Sequence, residues 1–383
     1  MNHTSYIEIS QSAYKHNIKY LRKIIGKDVR ISAVIKGNAY GHGVENIVPI
    51  AEKAKVNHFA VFSAAEAKDV FKVTSPTSDI MIMGYMSDDQ LAWAIENCIE
   101  FYVFDIERLE KAIDLAKVIK KPARIHIEAE TGFHRTGFHY DSLLEVVNLM
   151  KNNDKHIIFE GLCTHYAGAE SVSNYYRVVN QIKLYRKFVR YFARHDLRPN
   201  YKHTAGSAAT LIYSQTIMDM VRVGIAQFGF WPSQETFIYQ FKRNQARDSD
   251  LKRVISWKSE VMTVKEVDSG DFIGYGTSFM ANKKTKIAII PVGYANGFSR
   301  SLSNTGRVLI RGKRVPVVGT VTMNTMSVNV TDLPNVQKGD EVVLVGKQKR
   351  LTISIASFCE MSELLNYQLL ARLPGNIPRI LVK

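Results

Sequence analysis

An apolar run, Ile31 to Ile35, stops abruptly on Lys36. Gly37-Asn38-Ala39, Tyr40 and Gly41-His42-Gly43 follow it. A lysine at the end of a buried strand is partly desolvated, which lowers its pKa. The neutral amine can then form a Schiff base with an aldehyde cofactor or a carbonyl substrate. Glycines beside it let a flat ring approach the backbone. The bland alternative is a strand-end lysine that reaches water. Other reactive residue types are scattered. Cys98, Cys163 and Cys359 lie far apart with no CxxC pattern, so neither a zinc site nor a disulfide framework is indicated. His126, His134, His156 and His203 have no partner at metal-ligand spacing, and no metal is assigned. His42 reads as structural. Neither a GxGxxG nor a GxxxxGK[ST] phosphate loop is present.

The elements that must position Lys36 can be read from hydrophobic period. Strand patterns fall at 29–35, 57–63, 79–83, 99–104, 124–129, 157–163, 200–204 and 221–228. Helical periodicity occupies 10–25, 44–54, 105–118, 140–150 and 174–194 between them. Strands alternating with helices indicate a parallel sheet, and eight strands point to an N-terminal (β/α)8 barrel. A doubly wound sheet would read similarly. In a barrel the C-terminal strand ends face the active site, which is where Lys36 falls. Beyond Gln245 strand patterns dominate, at 254–267, 286–294, 307–310, 315–317, 326–330 and 341–345, with turn signals such as Asp268-Ser269-Gly270 between them. The expected organisation is a barrel over 1–244 and a C-terminal, mostly β domain over 245–383.

The 383 residues suffice for two domains, and 46% hydrophobic with 23% charged content is ordinary for a globular chain. The net charge of +15 raises nucleic-acid or anionic-membrane binding, but the basic residues are scattered in short groups. The expectation is therefore no nucleic acid and no membrane partner. The N-terminus lacks a signal-peptide core, and no run reaches the roughly 18 apolar residues a membrane helix needs. A cytoplasmic location is expected. Trp231 and Trp257 read as packing residues.

The segment AVIKGNAYGHG resembles the lysine segment of the alanine racemase family, fold type III enzymes that use pyridoxal 5′-phosphate. TGFHRTGF at 131–138, GLCTHYAG at 161–168, HTAGSAATL at 203–211 and VRVGIAQFG at 221–229 resemble family blocks in the right order. So do IGYGTSF at 273–279, PVGYANGFSRSLSN at 291–304, VGTVTMNTMSVNVTDLP at 318–334 and NYQLLARLPGNIPR at 366–379. The resemblance implies that Lys36 carries the cofactor and acts as base on one face of the substrate Cα. Tyr275 would be the base on the opposite face, contributed by the partner subunit of a homodimer with shared active sites. It implies that His165 tunes the tyrosine, and that Arg222 faces the pyridine nitrogen and disfavours its protonation. Tyr40, Ser207, Gly224, Ile225 and Tyr367 would hold the phosphate. Arg135 would meet the phenolic oxygen of the cofactor and orient the substrate, and the backbone of Met323 would meet the substrate carboxylate.

The sequence departs from the family pattern in places. Glu128 stands where many members place a lysine that becomes carbamylated, and it is expected to pair with Arg135. Glu130, Gly206, Asn296 and Asn324 also replace other residues, and Asn324 with nearby Tyr294 falls where the family lines its substrate entrance. The implied reaction is interconversion of L- and D-alanine, as a step toward peptidoglycan precursors. A racemase for serine or another amino acid, a decarboxylase of the same fold type and a cofactor carrier are the competing readings.

Overall fold

The computed structural model describes residues 4–244, 251–355 and 366–383. Cys359 lies outside the described residues. The chain divides into two compact units. One comprises Ala13–Ala39 and Ile47–Lys252, the other Met1–Ser12, Tyr40–Asn46 and Arg253–Lys383.

After β1 (Ser5–Ser10), the first unit runs through eight parallel strands. They are β2 (Arg30–Val34), β3 (His58–Val61), β4 (Asp79–Ile82), β5 (Glu100–Val103), β6 (Ala123–Glu128), β7 (Ile157–Cys163), β8 (Tyr201–His203) and β9 (Met220–Val223). Their order in the sheet is β8-β7-β6-β5-β4-β3-β2-β9. Arg30, Ile31, Ser32 and Ala33 pair in register with Met220, Val221, Arg222 and Val223, so β2 is tied to the last strand of the unit. The remaining seam, between β8 and β9, is spanned by Asp219 N–H donating to the Lys202 carbonyl (3.2 Å) and Arg222 N–H donating to the Ala205 carbonyl (2.9 Å). The result is the nearly closed barrel that the strand count predicts.

Every residue of β3 and β5 is buried, as both faces of a barrel strand require. Each fully buried valine or phenylalanine there contributes about 1.5–3 kcal/mol. Helix Gln11–Ile25 buries Ala13, Tyr14, Asn17, Ile18, Leu21 and Ile25, the spacing of one helical face. Trp231 and Tyr20 meet edge to face at 6.2 Å, the packing role expected of Trp231.

The helices that escape a search for long hydrophobic periods include Ala64–Phe71, Asp88–Glu96, Ser207–Ile212 and Gln234–Asn244. The first two are short but carry readable starts, Ser63 with Glu66 and Ser87 with Gln90, each forming a capping box. The strand pattern at 221–228 is also shorter than expected. It ends at Val223, and after Gly224 the chain turns into a 3₁₀ segment, Ile225–Phe228.

In the second unit β1 is joined by β10 (Ile255–Glu260), β11 (Thr263–Val267), β12 (Thr285–Ile290), β13 (Arg307–Ile310), β14 (Lys313–Val318), β15 (Met326–Asn329), β16 (Glu341–Gln348), β17 (Leu351–Ile353) and β18 (Arg379–Val382). The order is β11-β12-β15-β14-β13-β16-β10-β1-β18, with β17 on β16. All pairings are antiparallel except β1 with β18. The expected single run at 254–267 is two strands. Trp257 is buried, with its indole N–H donating to Ser5 Oγ at 3.0 Å.

Candidate active site

Lys36 follows β2 directly, at the C-terminal end of the barrel, after the Ile35 N–H donates to the Ala60 carbonyl of β3 (2.9 Å). The next four residues form a left-handed turn: Gly37 (φ 63°), Asn38 (51°), Ala39 (54°) and Tyr40 (51°). Such a turn costs roughly 1–2 kcal/mol for each residue other than glycine. Hydrogen bonds at both ends help to hold it. Ala39 N–H donates to the Ile35 carbonyl (2.7 Å) and Gly37 N–H to Glu66 Oε1 (2.6 Å). The other oxygen of Glu66 accepts from the Phe62 and Ser63 N–H groups. The helix cap that follows β3 thus anchors the turn that follows β2. The Ser63–Glu66 spacing is the sequence signal that could have singled out Glu66.

The Lys36 ammonium is solvent-accessible, yet protein surrounds it on most sides. Burial lowers its pKa, the charge of Arg135 lowers it further, and Glu66 opposes them. His165, after β7, shares the influence of Arg135. Burial, then Arg222, Arg135 and Lys36, push it down to about 3. Three permanent or potential cations therefore converge on one neutral imidazole. Gly206 lies beside them, and a Cβ there would make ordinary contact with His165 Cε1 at 3.4 Å.

Arg222 lies on β9 and is 5% exposed. Its Nη1 donates to the His203 carbonyl (2.7 Å) and to His203 Nδ1 (2.6 Å). Its Nη2 donates to the carbonyls of Thr164 (2.7 Å) and Thr204 (3.3 Å). A guanidinium has five N–H groups, four of them on the two terminal nitrogens. All four are engaged, so Nε–H is the one left to offer a ligand. Nearby, Ser207 Oγ accepts from the N–H groups of Gly224 (3.0 Å) and Ala226 (3.4 Å). A hydroxyl and the backbone donors after β9 are thereby gathered at one strand end. Ile225 opens the 3₁₀ segment beside them.

Glu128 does not pair with Arg135 as expected. The Arg135 guanidinium lies over the Phe133 ring, 4.4 Å from its centroid. Glu128 Oε2 instead accepts from Thr136 Oγ1 (2.7 Å). Burial raises the Glu128 pKa, only partly offset by that bond and by the charges of Arg135 and Arg222. The 131–138 loop explains the difference. Glu130 accepts from the N–H groups of Gly132, Phe133 and His134, and this tight loop sets Arg135 against Phe133.

Tyr40, Tyr275, Met323 and Tyr367 belong to the second unit. Tyr275 is 75% exposed, between Gly274 (φ 81°) and Gly276 (φ 69°), and its carbonyl accepts from Thr320 Oγ1 (3.2 Å). The Met323 carbonyl accepts from Ala295 N–H (3.0 Å), while its own N–H has no partner among the described residues. A Cβ on Gly293 would meet the Met323 carbonyl carbon at 2.5 Å, so only glycine allows these two loops to pack. Tyr367 lies on helix Asn366–Ala371, and its side chain is outside the described residues.

The histidines without metal-ligand spacing prove to be partly convergent. His126 and His203 are hydrogen-bonded to each other at 2.8 Å. No group of three or more residues able to hold a metal occurs among the described residues. No described helix is long and apolar enough to cross a membrane.

A parallel barrel that presents a lysine of lowered pKa among fixed cations, at the C-terminal strand ends, is the arrangement of a Schiff-base enzyme acting on anionic carbonyl compounds. Comparison with known proteins gives the family. The N-terminal domain model of alanine racemase matches residues 9–232, and the C-terminal domain model matches 254–381. Alanine racemase 1 of Caldanaerobacter subterraneus subsp. tengcongensis is 34% identical, over 98% of this chain and 94% of its own. The alanine racemase structure from Clostridium difficile 630 superposes with a TM-score of 0.91 at 28% identity, over 100% of this chain and 96% of that one. The Bacillus anthracis alanine racemase with bound L-Ala-P gives 0.90 at 30% identity, with coverage of 100% and 96%. The chain belongs to the alanine racemase family.

Proposed function

We propose that this protein is a pyridoxal-phosphate-dependent isomerase that interconverts L- and D-alanine by a two-base mechanism. The observation that carries the reading is the Lys36 amine, lowered in pKa and grouped with Arg135 and Arg222 around a neutral His165. Such a concentration of positive charge suits a cofactor that brings a phosphate dianion and a phenolate. When bound, pyridoxal phosphate supplies an electron sink that acidifies the Cα–H of an amino acid.

This chain's residues would do the rest. Lys36 holds the cofactor covalently and moves a proton at one face of Cα. Ser207, Gly224 and Ile225 hold the phosphate from the barrel, with Tyr40 and Tyr367 as further phosphate groups. Arg135 meets the phenolic oxygen and orients the substrate. Arg222 would offer its one unengaged N–H to the ring nitrogen. Because a guanidinium keeps its protons, it would leave that nitrogen unprotonated and so limit charge build-up at Cα. The Met323 N–H is the backbone group available to a substrate carboxylate.

Tyr275 would move the proton at the opposite face. Its exposure fits a side chain presented to a second copy, so the working assembly is a homodimer with shared sites. His165 would tune that tyrosine as a neutral partner. A cytoplasmic location accords with a role in supplying D-alanine for peptidoglycan.

The decisive experiment is α-deuterium exchange in D₂O, from each enantiomer of alanine separately, with added pyridoxal phosphate. The wild type exchanges both. Tyr275→Phe should lose exchange from one enantiomer by about a hundredfold or more, and far less from the other. Equal losses from both would overturn the two-base assignment. A faster reaction with serine than with alanine would move the specificity away from alanine.

A further inference from the structure

Beneath Arg222 the barrel interior holds an unbroken line of buried polar groups. His203 Nδ1 accepts from Arg222 Nη1 (2.6 Å), His203 Nε2 meets His126 Nδ1 (2.8 Å), and His126 Nε2 meets Glu100 Oε2 (2.8 Å). His58 Nε2 also meets Glu100 Oε2 (2.9 Å), and Ser32 Oγ meets His58 Nδ1 (2.8 Å). Arg124 Nη2 donates to Glu100 Oε1 (2.7 Å). Ser32, His58, Glu100, His126 and His203 are all 0% exposed.

The chemistry of the two ends fixes every proton between them. Arginine can only donate, so His203 Nδ1 must carry a lone pair. Neutral His203 then bears its proton on Nε2 and donates to His126. His126 Nδ1 must accept, so its own proton is on Nε2 and points at Glu100. Both oxygens of Glu100 face donors, so the carboxyl is ionised. A charged His126 would place a proton between itself and His203, driving the His203 proton onto Nδ1, against the guanidinium. That collision excludes it. The electrostatics agree in direction: burial and the Arg222 charge hold His203 well below the usual histidine range. Burial opposes ionisation of Glu100, but its histidine neighbours outweigh it and hold it well below the usual carboxylate range.

Gly161 makes room for the contact between the two imidazoles. It faces His126 where the β6–β7 register shifts. A Cβ there would come within 1.9 Å of His126 Nδ1 and 2.7 Å of His203 Nε2. The strand is bare where the two imidazoles meet.

We infer that Glu100, His126 and His203 are positioning residues whose one-directional hydrogen-bond chain locks the Arg222 guanidinium, leaving only Nε–H for the ring nitrogen of the cofactor. The inference rests on the proposed function for the identity of that ligand, but the proton arrangement belongs to the protein alone. Aligned hydrogen bonds polarise one another, so the ionised Glu100 strengthens the hold of His203 on Arg222.

The test is ¹⁵N NMR of histidine-labelled protein before and after addition of pyridoxal phosphate, with His203→Asn used for assignment. His126 and His203 should both be neutral, with the proton on Nε2, before any cofactor is present. A doubly protonated ring, or a proton on Nδ1, at either residue would overturn the inference whatever the protein catalyses. Glu100→Gln should shift the His203 signal, change the absorbance of bound pyridoxal phosphate and weaken its binding by about tenfold, the scale of a lost hydrogen bond to a charged group. Unchanged His203 and cofactor signals would refute the relay. Should Glu100→Gln fail to fold, His203→Asn and His203→Leu decide. Asparagine keeps an acceptor for Arg222 and should retain the cofactor absorbance that leucine loses, and identical spectra from both would refute it.

Discussion

The two ends of the barrel treat charge in opposite ways. Near the N-terminal strand ends Arg124 and Arg30 have carboxylate partners. Arg124 reaches Asp79, Glu100 and Glu160, each at 2.7 Å, and Arg30 also meets Asp79. At the C-terminal ends, Lys36, Arg135 and Arg222 have no ion-pair partner among the described residues. Glu128, the carboxylate best placed to neutralise one, is turned to Thr136 and held toward its neutral form. The first arrangement satisfies itself. The second is incomplete without a ligand, and paired and unpaired charge on one scaffold separates the stabilising end from the reacting end.

The largest effect should come from the reactive end. Lys36→Ala is expected to lower racemisation by about a thousandfold or more and to abolish a borohydride-reducible link to pyridoxal phosphate, while barely changing the unfolding midpoint. Mass spectrometry after reduction and chemical denaturation check both halves. The paired end should give the converse. Arg124→Met leaves three carboxylates without their shared cation and should cost about 3 kcal/mol in denaturant unfolding, with turnover per folded molecule reduced far less than in Lys36→Ala.

A smaller effect sharpens the contrast through pH. His165 titrates at about 3 in the folded chain, against 6.5 when unperturbed. Between those values the unfolded chain holds a proton that the folded chain does not, so this group lowers stability as pH falls through that window. Unfolding measured from pH 7 to pH 3 should lose part of its slope in His165→Asn. It should flatten partially in Lys36→Ala, which removes one of the repelling charges. The smallest effect belongs to Glu128→Gln. Since Thr136 and not Arg135 is the partner, cofactor affinity should change by less than about threefold. A tenfold loss would mean that Glu128 acts on Arg135 after all.

The sequence made the barrel legible because parallel strands buried on both faces read as apolar runs, and all eight occur where those runs fall. Short helices were harder to see. Eight residues at Ala64–Phe71 give too few repeats to establish a period, although the Ser63–Glu66 cap marks the start. At the site, Lys36 was visible from its own neighbours. The His203–His126–Glu100 line was not, because its members are separated by 77 and 26 positions and meet only when strands align. The expected Glu128–Arg135 pair failed for a local reason. A loop with Gly132 at φ 117° and His134 at φ 60° sends Arg135 onto Phe133, and residue spacing carries no record of such turns.

The register between β2 and β9 also bears on how the molecule is made. Lys36 leaves the ribosome before Met220–Val223, the segment that flanks its strand on one side and carries Arg222. A nascent chain that stops before Met220 holds the lysine without that neighbour and without the arginine. The pairing of β2 with β9 therefore forms late in synthesis, between segments about 190 residues apart. Until then the apolar edge of β2 has no mate, and this edge is where newly made chains would first meet chaperones or one another.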